Sequence, residues 1–292
     1  MFNFASTHIR VAAVAAALCC GMVTASAQAQ RPYDYVPPEM QGVGVVERLG
    51  EKVPLDLTFT DESGNTIQLA DYFKPGKPVI LTLNYYNCPQ LCTLTLNGLV
   101  DGLKDVEWSA GEEFEIVTVS IDPEEGHELA EVKKRAYLTM YKRESVKDGW
   151  HFLVGEQENI TKLANAVGFG YRYDAKSGEF AHTSTIIFLT PDGTISRYMN
   201  DVMFKSRDLR LALVEASQGT IGTAMEQFLL LTCFQWDPDS NSYAASAIKI
   251  MKLGGALTLI VLAAGLGALW WRGSYTAVGA DNSGSEDQAA AE

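Results

Sequence analysis

Two cysteines, Cys88 and Cys92, lie four positions apart in NCPQLC, where an apolar strand-like run gives way to a helical pattern. Residues four apart share one face of a helix, so the two sulfurs can converge on one metal ion or form a disulfide. The free amides and the positive dipole end at a helix start favour thiolate, which is the form that binds metals and attacks disulfides. The pair is therefore the first candidate for chemistry.

Three interpretations of this pair stay open on the residues alone. A structural disulfide is compatible with an exported compartment, but so short a loop constrains the unfolded chain little. A redox dithiol is the second, although oxidoreductases usually have C-x-x-C and here three residues intervene. The third is metal binding, because two soft thiolates suit Cu(I) and also Zn(II), although structural zinc normally takes four protein ligands.

A copper site with two sulfurs would gain from a nitrogen donor, and three histidines follow the amino-terminal segment. His151 begins a predicted strand, His127 lies in an acidic turn, and His182 precedes an apolar strand. The residues alone do not rank the three.

Predicted strands alternate with predicted helices around these residues. The strands are expected at 79–85, 114–121, 151–154 and 184–190, and the helices at 93–104, 128–141 and 159–167. This alternation predicts an α/β sandwich with parallel strand pairs. The cysteines follow the first of these strands, at the carboxyl end where such sheets place ligand sites.

Further elements complete a single domain at 53–219, which follows a lead-in linker at 30–52. Apolar and polar residues alternate on both sides of 61–65 and predict an amino-terminal hairpin. Pro191, Asp192 and Gly193 form a turn signal between two strand runs, which predicts a second hairpin that ends the sheet. A closing helix is expected from residue 206, with Gly219 as its stop.

Both ends of the chain have the composition of membrane-related segments. Residues 1–29 combine Arg10, a short apolar run and small residues of the A-x-A type, which predicts a cleaved secretory signal peptide. The uncharged stretch LGGALTLIVLAAGLGALWW predicts a transmembrane helix at 251–272, with Lys252 and Arg272 near its ends. A tether at 220–250 and an acidic, disordered tail at 273–292 are expected on its two sides.

The charge balance excludes one class of function. Acidic residues outnumber Lys and Arg by 36 to 23 among the 292 residues, and the net charge is −13. Binding to nucleic acid requires a surplus of basic residues on one face to neutralise phosphates. No nucleic-acid partner is therefore expected.

Three motifs in order resemble the Sco/SenC family, the thioredoxin-like copper-binding assembly factors of respiratory oxidases: NCPQLC, VSIDPEE and AHTSTIIFLTPDG. The resemblance covers about residues 53–217. It implies a thioredoxin-like sandwich and a copper ion bound by Cys88, Cys92 and His182, with the two cysteines also able to form a redox-active disulfide. It further implies that Asp122 holds the site or a partner without binding copper directly.

Two features depart from the family pattern. The family commonly has proline directly after the second cysteine, where this chain has Thr93. Many members are anchored at the amino end, whereas this chain is expected to be anchored at the carboxyl end. The second difference affects which partner the site can reach.

The leading hypothesis is a copper metallochaperone that delivers copper to a respiratory oxidase subunit, and thiol-disulfide reductase activity of the same chain stays open. The resemblance implies the copper site of cytochrome oxidase subunit II, and the domain is expected on the periplasmic or extracytoplasmic side of the membrane. One alternative is a thiol-disulfide oxidoreductase that reduces the cysteines of an apo copper protein. Another is a structural or sensory membrane protein whose acidic tail makes a cytoplasmic contact.

Cys233 is the unpaired thiol that remains after signal removal. Its neighbours are largely apolar, which favours a buried and inert thiol against the domain or the lipid boundary. The alternatives are an intermolecular disulfide, an extra copper ligand from a neighbouring chain, or pairing with Cys88 or Cys92.

Overall fold

A computed structural model describes residues 40–218, 222, 234–237 and 240–280 of the chain. The predicted signal peptide, residues 30–39 of the lead-in and Gly219 lie outside the described residues. So do about half of the predicted tether, including Cys233, and residues 281–292.

A five-stranded sheet forms the centre of the domain, with the strand order β11-β10-β4-β5-β6. Strands β4, β5 and β6 run parallel, whereas β10 is antiparallel to both β4 and β11. The five strands are β4 (Val79–Asn84), β5 (Glu115–Ser120), β6 (Trp150–Leu153), β10 (Ile186–Leu189) and β11 (Ile195–Met199). All six residues of β4 and all six of β5 are buried, as expected for strands covered on both faces.

Alternate residues of these strands point to opposite faces of the sheet and build two core clusters. Ile80, Ile116 and Phe152 belong to one cluster, together with side chains of α1, α2 and α4. Leu81 and Val117 belong to the other, together with side chains of strand β2 (Thr58–Thr60) and of α3. The helices are α1 (Leu91–Lys104), α2 (His127–Tyr141), α3 (Gln157–Ala166) and α4 (Ser206–Ala216). The predicted α/β sandwich is therefore confirmed in its central sheet and helices.

The predicted amino-terminal hairpin is present as β2 (Thr58–Thr60) and β3 (Thr66–Gln68). The carboxylate of Asp61 accepts the backbone N–H groups of Ser63 and Asn65 at 2.9 and 2.8 Å. Gly64 has φ +84°, which glycine adopts without strain. The Asp, Asn and Gly residues of this turn are thus the ones its backbone requires.

The folded domain begins earlier than the predicted boundary at residue 53. Strand β1 (Gly44–Val45) pairs with β7 (Phe169–Gly170), and Lys52 forms a bridge with Thr194. These short pairings depend on distant partners, so the local composition of the lead-in does not reveal them.

The structure contains two further hairpins that the sequence patterns described above do not predict. Strands β8 (Arg172–Asp174) and β9 (Glu179–Ala181) precede His182, and strands β12 (Phe234–Asp237) and β13 (Ser242–Ala245) follow the domain. The turn residues in DAKSG and DPDSN are the signals that could have predicted both. The second hairpin lies within the segment that was expected to be a tether.

The last described element is helix α5 (Ala247–Ala280). Its portion Ala247–Leu269 is long and apolar enough to cross a membrane, with a mean hydropathy of 1.8, and its apolar stretch is not buried inside the structure. The helix is longer than the predicted 251–272 at both ends, so the first eight residues of the segment expected to be disordered are helical.

Candidate metal centre

The cysteine loop and the histidine segment meet at one end of the sheet. Strand β4 ends at Asn84 and leads into the cysteine loop, and α1 begins at Leu91, between the two cysteines. In the antiparallel pair of β4 and β10, Ile186 lies opposite Thr82. The residues before Ile186, including His182, therefore lie beside the residues that follow β4. This is the carboxyl end of the parallel strands, where α/β sheets place ligand sites.

The three candidate ligand atoms form one cluster. The two Sγ atoms of Cys88 and Cys92 and a ring nitrogen of His182 all lie within 4.8 Å of one another. Cys92 Sγ is 3.0 Å from His182 Nε2, and the backbone N–H of Cys92 donates to Cys88 Sγ at 3.3 Å. These separations are comparable with twice a metal–sulfur bond of about 2.3 Å, so one soft ion can contact all three atoms.

The two thiols, which are both free, differ in protonation. The pKa of Cys88 lies well below its usual range, chiefly because Cys92 donates a hydrogen bond to its sulfur. Burial raises the pKa of Cys92, and the neighbouring Cys88 raises it further. These directions favour a thiolate at Cys88 and a thiol at Cys92.

Hydrogen bonding fixes the orientation of the His182 ring. Its Nδ1 lies 2.9 Å from the carbonyl oxygen of Thr183, which can only accept, so Nδ1 carries the proton. In the neutral imidazole the lone pair is then on Nε2, which faces Cys92 Sγ. A backbone partner on the far nitrogen is the usual arrangement of a histidine that binds a metal.

Aromatic rings pack around the histidine. Tyr85 meets the His182 ring edge-on at 5.9 Å between centroids, and Phe169 lies 6.0 Å away. Phe180 packs on Tyr85 at 5.5 Å. These contacts restrict the imidazole and keep water from most of the cluster, which leaves His182 only 7% exposed.

We expect Cys88 to react with iodoacetamide at a rate that changes less than about threefold between pH 8 and pH 6. Thiolate is the reacting form, and the depressed pKa keeps Cys88 ionised over this range. An ordinary thiol, with a pKa of about 8.5, slows about tenfold for each pH unit below it. Mass spectrometry of the alkylated peptide gives the rate at each cysteine. A steep fall in the alkylation rate of Cys88 at lower pH, or preferential alkylation of Cys92, would contradict a thiolate at Cys88 and a thiol at Cys92.

Glu125 is a residue of the site that sequence reasoning missed. Its carboxylate accepts the backbone N–H groups of Tyr86 and Asn87, at 2.7 and 2.6 Å, and the hydroxyl of Ser120 at 2.6 Å. Burial raises the pKa of Glu125, whereas these three donors oppose the rise. The side chain thereby fastens the segment immediately before Cys88 to the end of β5.

Glu125→Ala should lower the free energy of unfolding by about 2 kcal/mol, because two backbone donors and a hydroxyl lose a charged acceptor. The exposed neighbour Glu124 provides the matched control, and Glu124→Ala should change the free energy by less than about 0.5 kcal/mol. Urea unfolding of the metal-free protein measures both. Equal effects of the two substitutions would show that Glu125 does not hold the cysteine segment.

Asp122 lies three residues before Glu125, and its carboxylate makes a local contact instead of one to the cysteine segment. Its carboxylate accepts the backbone N–H of Glu124 at 2.9 Å, which is a local turn after β5. Its negative charge also contributes to the raised pKa of Glu125. The predicted role of Asp122 in holding the site or a partner stays a prediction, and Glu125 makes the direct contacts.

The other two histidines are not part of the cluster. His127 begins α2, with Nδ1 3.6 Å from Glu128. His151 lies on β6, stacks on Tyr72 at 3.9 Å and is 3.7 Å from the carboxylate of Glu115. The structure therefore brings together Cys88, Cys92 and His182, and it leaves His127 and His151 elsewhere.

Comparisons with known proteins place the chain among Sco proteins. A family model described as SCO1/SenC matches residues 47–214, which is more than half of the 292 residues. The crystal structure of a proposed electron transfer protein from Aquifex aeolicus is 26% identical with a TM-score of 0.51, over 58% of this chain and 94% of that chain. A search of curated proteins found no match.

Two similar structures are copper-bound ScoI proteins. The one from Arabidopsis thaliana is 17% identical with a TM-score of 0.42, over 53% of this chain and 91% of that chain. The one from Bradyrhizobium japonicum is 21% identical with a TM-score of 0.40, over 57% of this chain and 100% of that chain. Through the match at residues 47–214, which contains both cysteines and His182, this chain belongs to the SCO1/SenC family.

Proposed function

We propose that the protein is a copper metallochaperone that binds copper through Cys88, Cys92 and His182 and passes it to a copper site of a respiratory oxidase. The observation that carries this proposal is the convergence of two sulfurs and an imidazole nitrogen within 4.8 Å at the carboxyl end of the sheet. Membership of the SCO1/SenC family supports it, because the family implies copper binding and a role in cytochrome oxidase assembly.

The donor set favours copper over zinc. Two sulfurs and one imidazole are soft to intermediate ligands that suit Cu(I), whereas structural zinc normally takes four protein ligands. Groups of three or more His, Cys, Asp or Glu side chains could hold a metal ion. Among the described residues, Cys88, Cys92 and His182 form the only such group. Three ligands leave a coordination position open for a donor from the copper acceptor.

Uptake and release proceed by ligand exchange, with copper as the cargo. The Cys88 thiolate and the Nε2 lone pair of His182 bind the incoming ion directly, and Cys92 binds after its thiol releases one proton. An acceptor thiolate or imidazole then enters the open position, and the three ligands of this chain leave in turn. Cys92 regains its proton, so the chain returns to its starting state.

Location and partner belong to the same proposal. A cleaved signal peptide at 1–29, followed by the apolar helix α5, would leave the domain on the periplasmic or extracytoplasmic side with a carboxyl-terminal anchor. Subunit II of cytochrome oxidase is the proposed acceptor, since the family works with the oxidase copper sites. The length and composition of α5 support the anchor.

A thiol-disulfide oxidoreductase is the second candidate, and the thiolate at Cys88 favours it. This thiolate could attack a disulfide of an apo copper protein, and Cys92 could then resolve the mixed disulfide. The substrate disulfide would gain two electrons from the cysteine pair, one proton from the Cys92 thiol and one proton from solvent, and Cys88 and Cys92 would be oxidised to a disulfide. The oxidoreductase would make the acceptor's cysteines ready to bind copper, whereas the metallochaperone would deliver the copper itself.

Oxidase activity in a strain that lacks this chain tests the proposal. We expect activity to fall when copper is scarce, to recover with added copper, and to recover with the wild-type chain but not with Cys88→Ser. Unchanged activity at limiting copper would contradict a role in oxidase assembly. A loss that added copper does not relieve would favour the oxidoreductase.

A further inference from the structure

The β12–β13 hairpin packs on the domain just before the apolar helix. Trp236 is 8% exposed and Tyr243 is 2% exposed, and both belong to the core cluster that contains α4. The guanidinium of Arg197, on β11, lies 5.3 Å from the centre of the Trp236 ring. The Tyr243 hydroxyl donates to the carboxylate of Glu215, which also pairs with Arg197. Buried aromatic side chains of this kind hold an element firmly in place.

The tip of the hairpin contacts the loop that follows β11. Asn241 has φ 44°, a left-handed conformation that asparagine tolerates, and its Oδ1 accepts the backbone N–H of Asn200 at 3.0 Å. The side chain of Asn200 in turn accepts the hydroxyl of Thr185 at 2.8 Å. Thr185 lies three residues after His182, and it is only 3% exposed.

A second chain of contacts leads from the same loop to the cysteine helix. The carbonyl oxygen of Asp201 accepts the hydroxyl of Ser184, and Ser184 accepts the hydroxyl of Thr95 at 2.7 Å. Thr95 lies on α1, three residues after Cys92. The loop also lies directly against this helix, because a Cβ atom added at Gly98 would be 2.0 Å from the carbonyl oxygen of Val202.

The hairpin is also joined closely to the apolar helix. Only Ser246 separates the end of β13 from the start of α5. Lys249 in the first turn of α5 donates to the carbonyl oxygen of Phe234 in β12, at 2.9 Å. A continuous series of contacts therefore runs from the start of α5, through the hairpin and the 200–203 loop, to the segment that carries His182.

We propose that the β12–β13 hairpin is a positioning element for His182, with Asn241 and Asn200 as the positioning residues. The hairpin fixes the 200–203 loop, and the loop fixes Ser184 and Thr185, so that Nε2 of His182 faces the cysteines. The consequence for metal rests on the proposed copper binding: contacts that orient a ligand typically change metal affinity about 10- to 100-fold. The hairpin lies beyond the family match, which ends at residue 214.

Asn241→Gly in the full chain, purified in detergent, tests the proposal. Glycine accepts the left-handed backbone and removes only the side-chain acceptor. We expect the Cu(I) affinity, measured by competition with a chromogenic chelator, to fall about tenfold. Asn241→Asp keeps an acceptor oxygen and should restore the wild-type affinity. Ser240→Ala, which removes a contact within the hairpin between Ser240 and Ser242, is the matched control and should have no effect.

A double-mutant cycle separates positioning from general destabilisation. In a His182→Ala background, Asn241→Gly should no longer change the affinity, because the residue through which it acts is absent. An equal fall in both backgrounds would overturn the proposal.

Amide hydrogen exchange of the metal-free protein gives a readout that is independent of copper. Exchange at Thr183, Ser184 and Thr185 should accelerate in Asn241→Gly and stay at the wild-type rate in Ser240→Ala, with the amides of β4 unchanged in both. Unaltered exchange at these three residues would overturn the positioning role. If the wild-type chain retained no copper, the proposed function would fail, and the exchange rates would still decide the role of the hairpin.

Discussion

Replacing both Cys88 and Cys92 with serine should reduce copper retained after dialysis from about one equivalent per chain to near zero. The two sulfurs supply the soft donors of the cluster, and one of them is already a thiolate. Serine hydroxyls stay protonated at neutral pH and are hard, weak ligands for Cu(I), and His182 alone cannot hold the ion. Metal analysis of the purified protein, loaded with Cu(I) under reducing conditions, measures the difference.

Cys233→Ser is the matched control for this experiment. It also removes a thiol, and we expect copper stoichiometry to stay at the wild-type level. On a non-reducing gel, we expect the wild type to show no disulfide-linked dimer band that is lost in Cys233→Ser. Equal copper in the wild type and in Cys88→Ser/Cys92→Ser would refute the proposed site. A fall in Cys233→Ser would show that this third thiol contributes a ligand.

The elements that carry the cysteines could be predicted because their signals are local. The strand before Cys88 is a continuous apolar run, and α1 follows it with helical periodicity, so the observed bounds differ from the predicted ones by only one or two residues. The same holds for α2 and β5, whose sequences show similarly clear patterns. The cysteines could then be assigned to a ligand site, because α/β sheets place such sites at the carboxyl ends of their strands.

The choice among the histidines could not be made from residue patterns. Whether His127, His151 or His182 reaches the cysteines depends on strand order and direction. Strand β10 inserts beside β4 in antiparallel sense, and this alone places His182 next to the cysteine loop. The family resemblance carries this topology implicitly and therefore selects His182.

The contacts of Glu125, Asn200 and Asn241 could not be predicted either, because their partners are also distant in sequence. Glu125 belongs to an acidic turn that reads as a solvated loop, and its function comes from donors about 39 residues away in sequence. Asn200 and Asn241 are 41 residues apart, and each looks like an ordinary turn residue. Local composition encodes the turn in each case, whereas the partner is set by tertiary packing.

His182→Ala should separate the two proposed functions of the cysteine pair. Residues that only orient a ligand contribute about 10- to 100-fold to metal affinity, so loss of a ligand should lower the Cu(I) affinity by at least about 100-fold. Disulfide reduction needs the Cys88 thiolate and the resolving Cys92, and the main cause of the low pKa of Cys88 is the hydrogen bond from Cys92. That hydrogen bond does not involve His182, so turnover with a model disulfide should stay within about threefold of the wild type.

His127→Ala is the matched control, because it removes an imidazole that lies outside the cluster, and it should leave both measurements unchanged. Copper affinity follows from competition with a chromogenic chelator, and turnover follows from reduction of a disulfide reporter at constant pH. If His182→Ala kept wild-type copper affinity, the imidazole would not be a ligand, and the pair of sulfurs would have to hold the ion alone. If it lost copper and disulfide turnover together, the histidine would act by stabilising the thiolate, and the two functions would share one residue. We expect loss of copper with turnover retained. Nε2 of His182 faces the cysteines, whereas the low pKa of Cys88 comes mainly from the hydrogen bond that Cys92 donates.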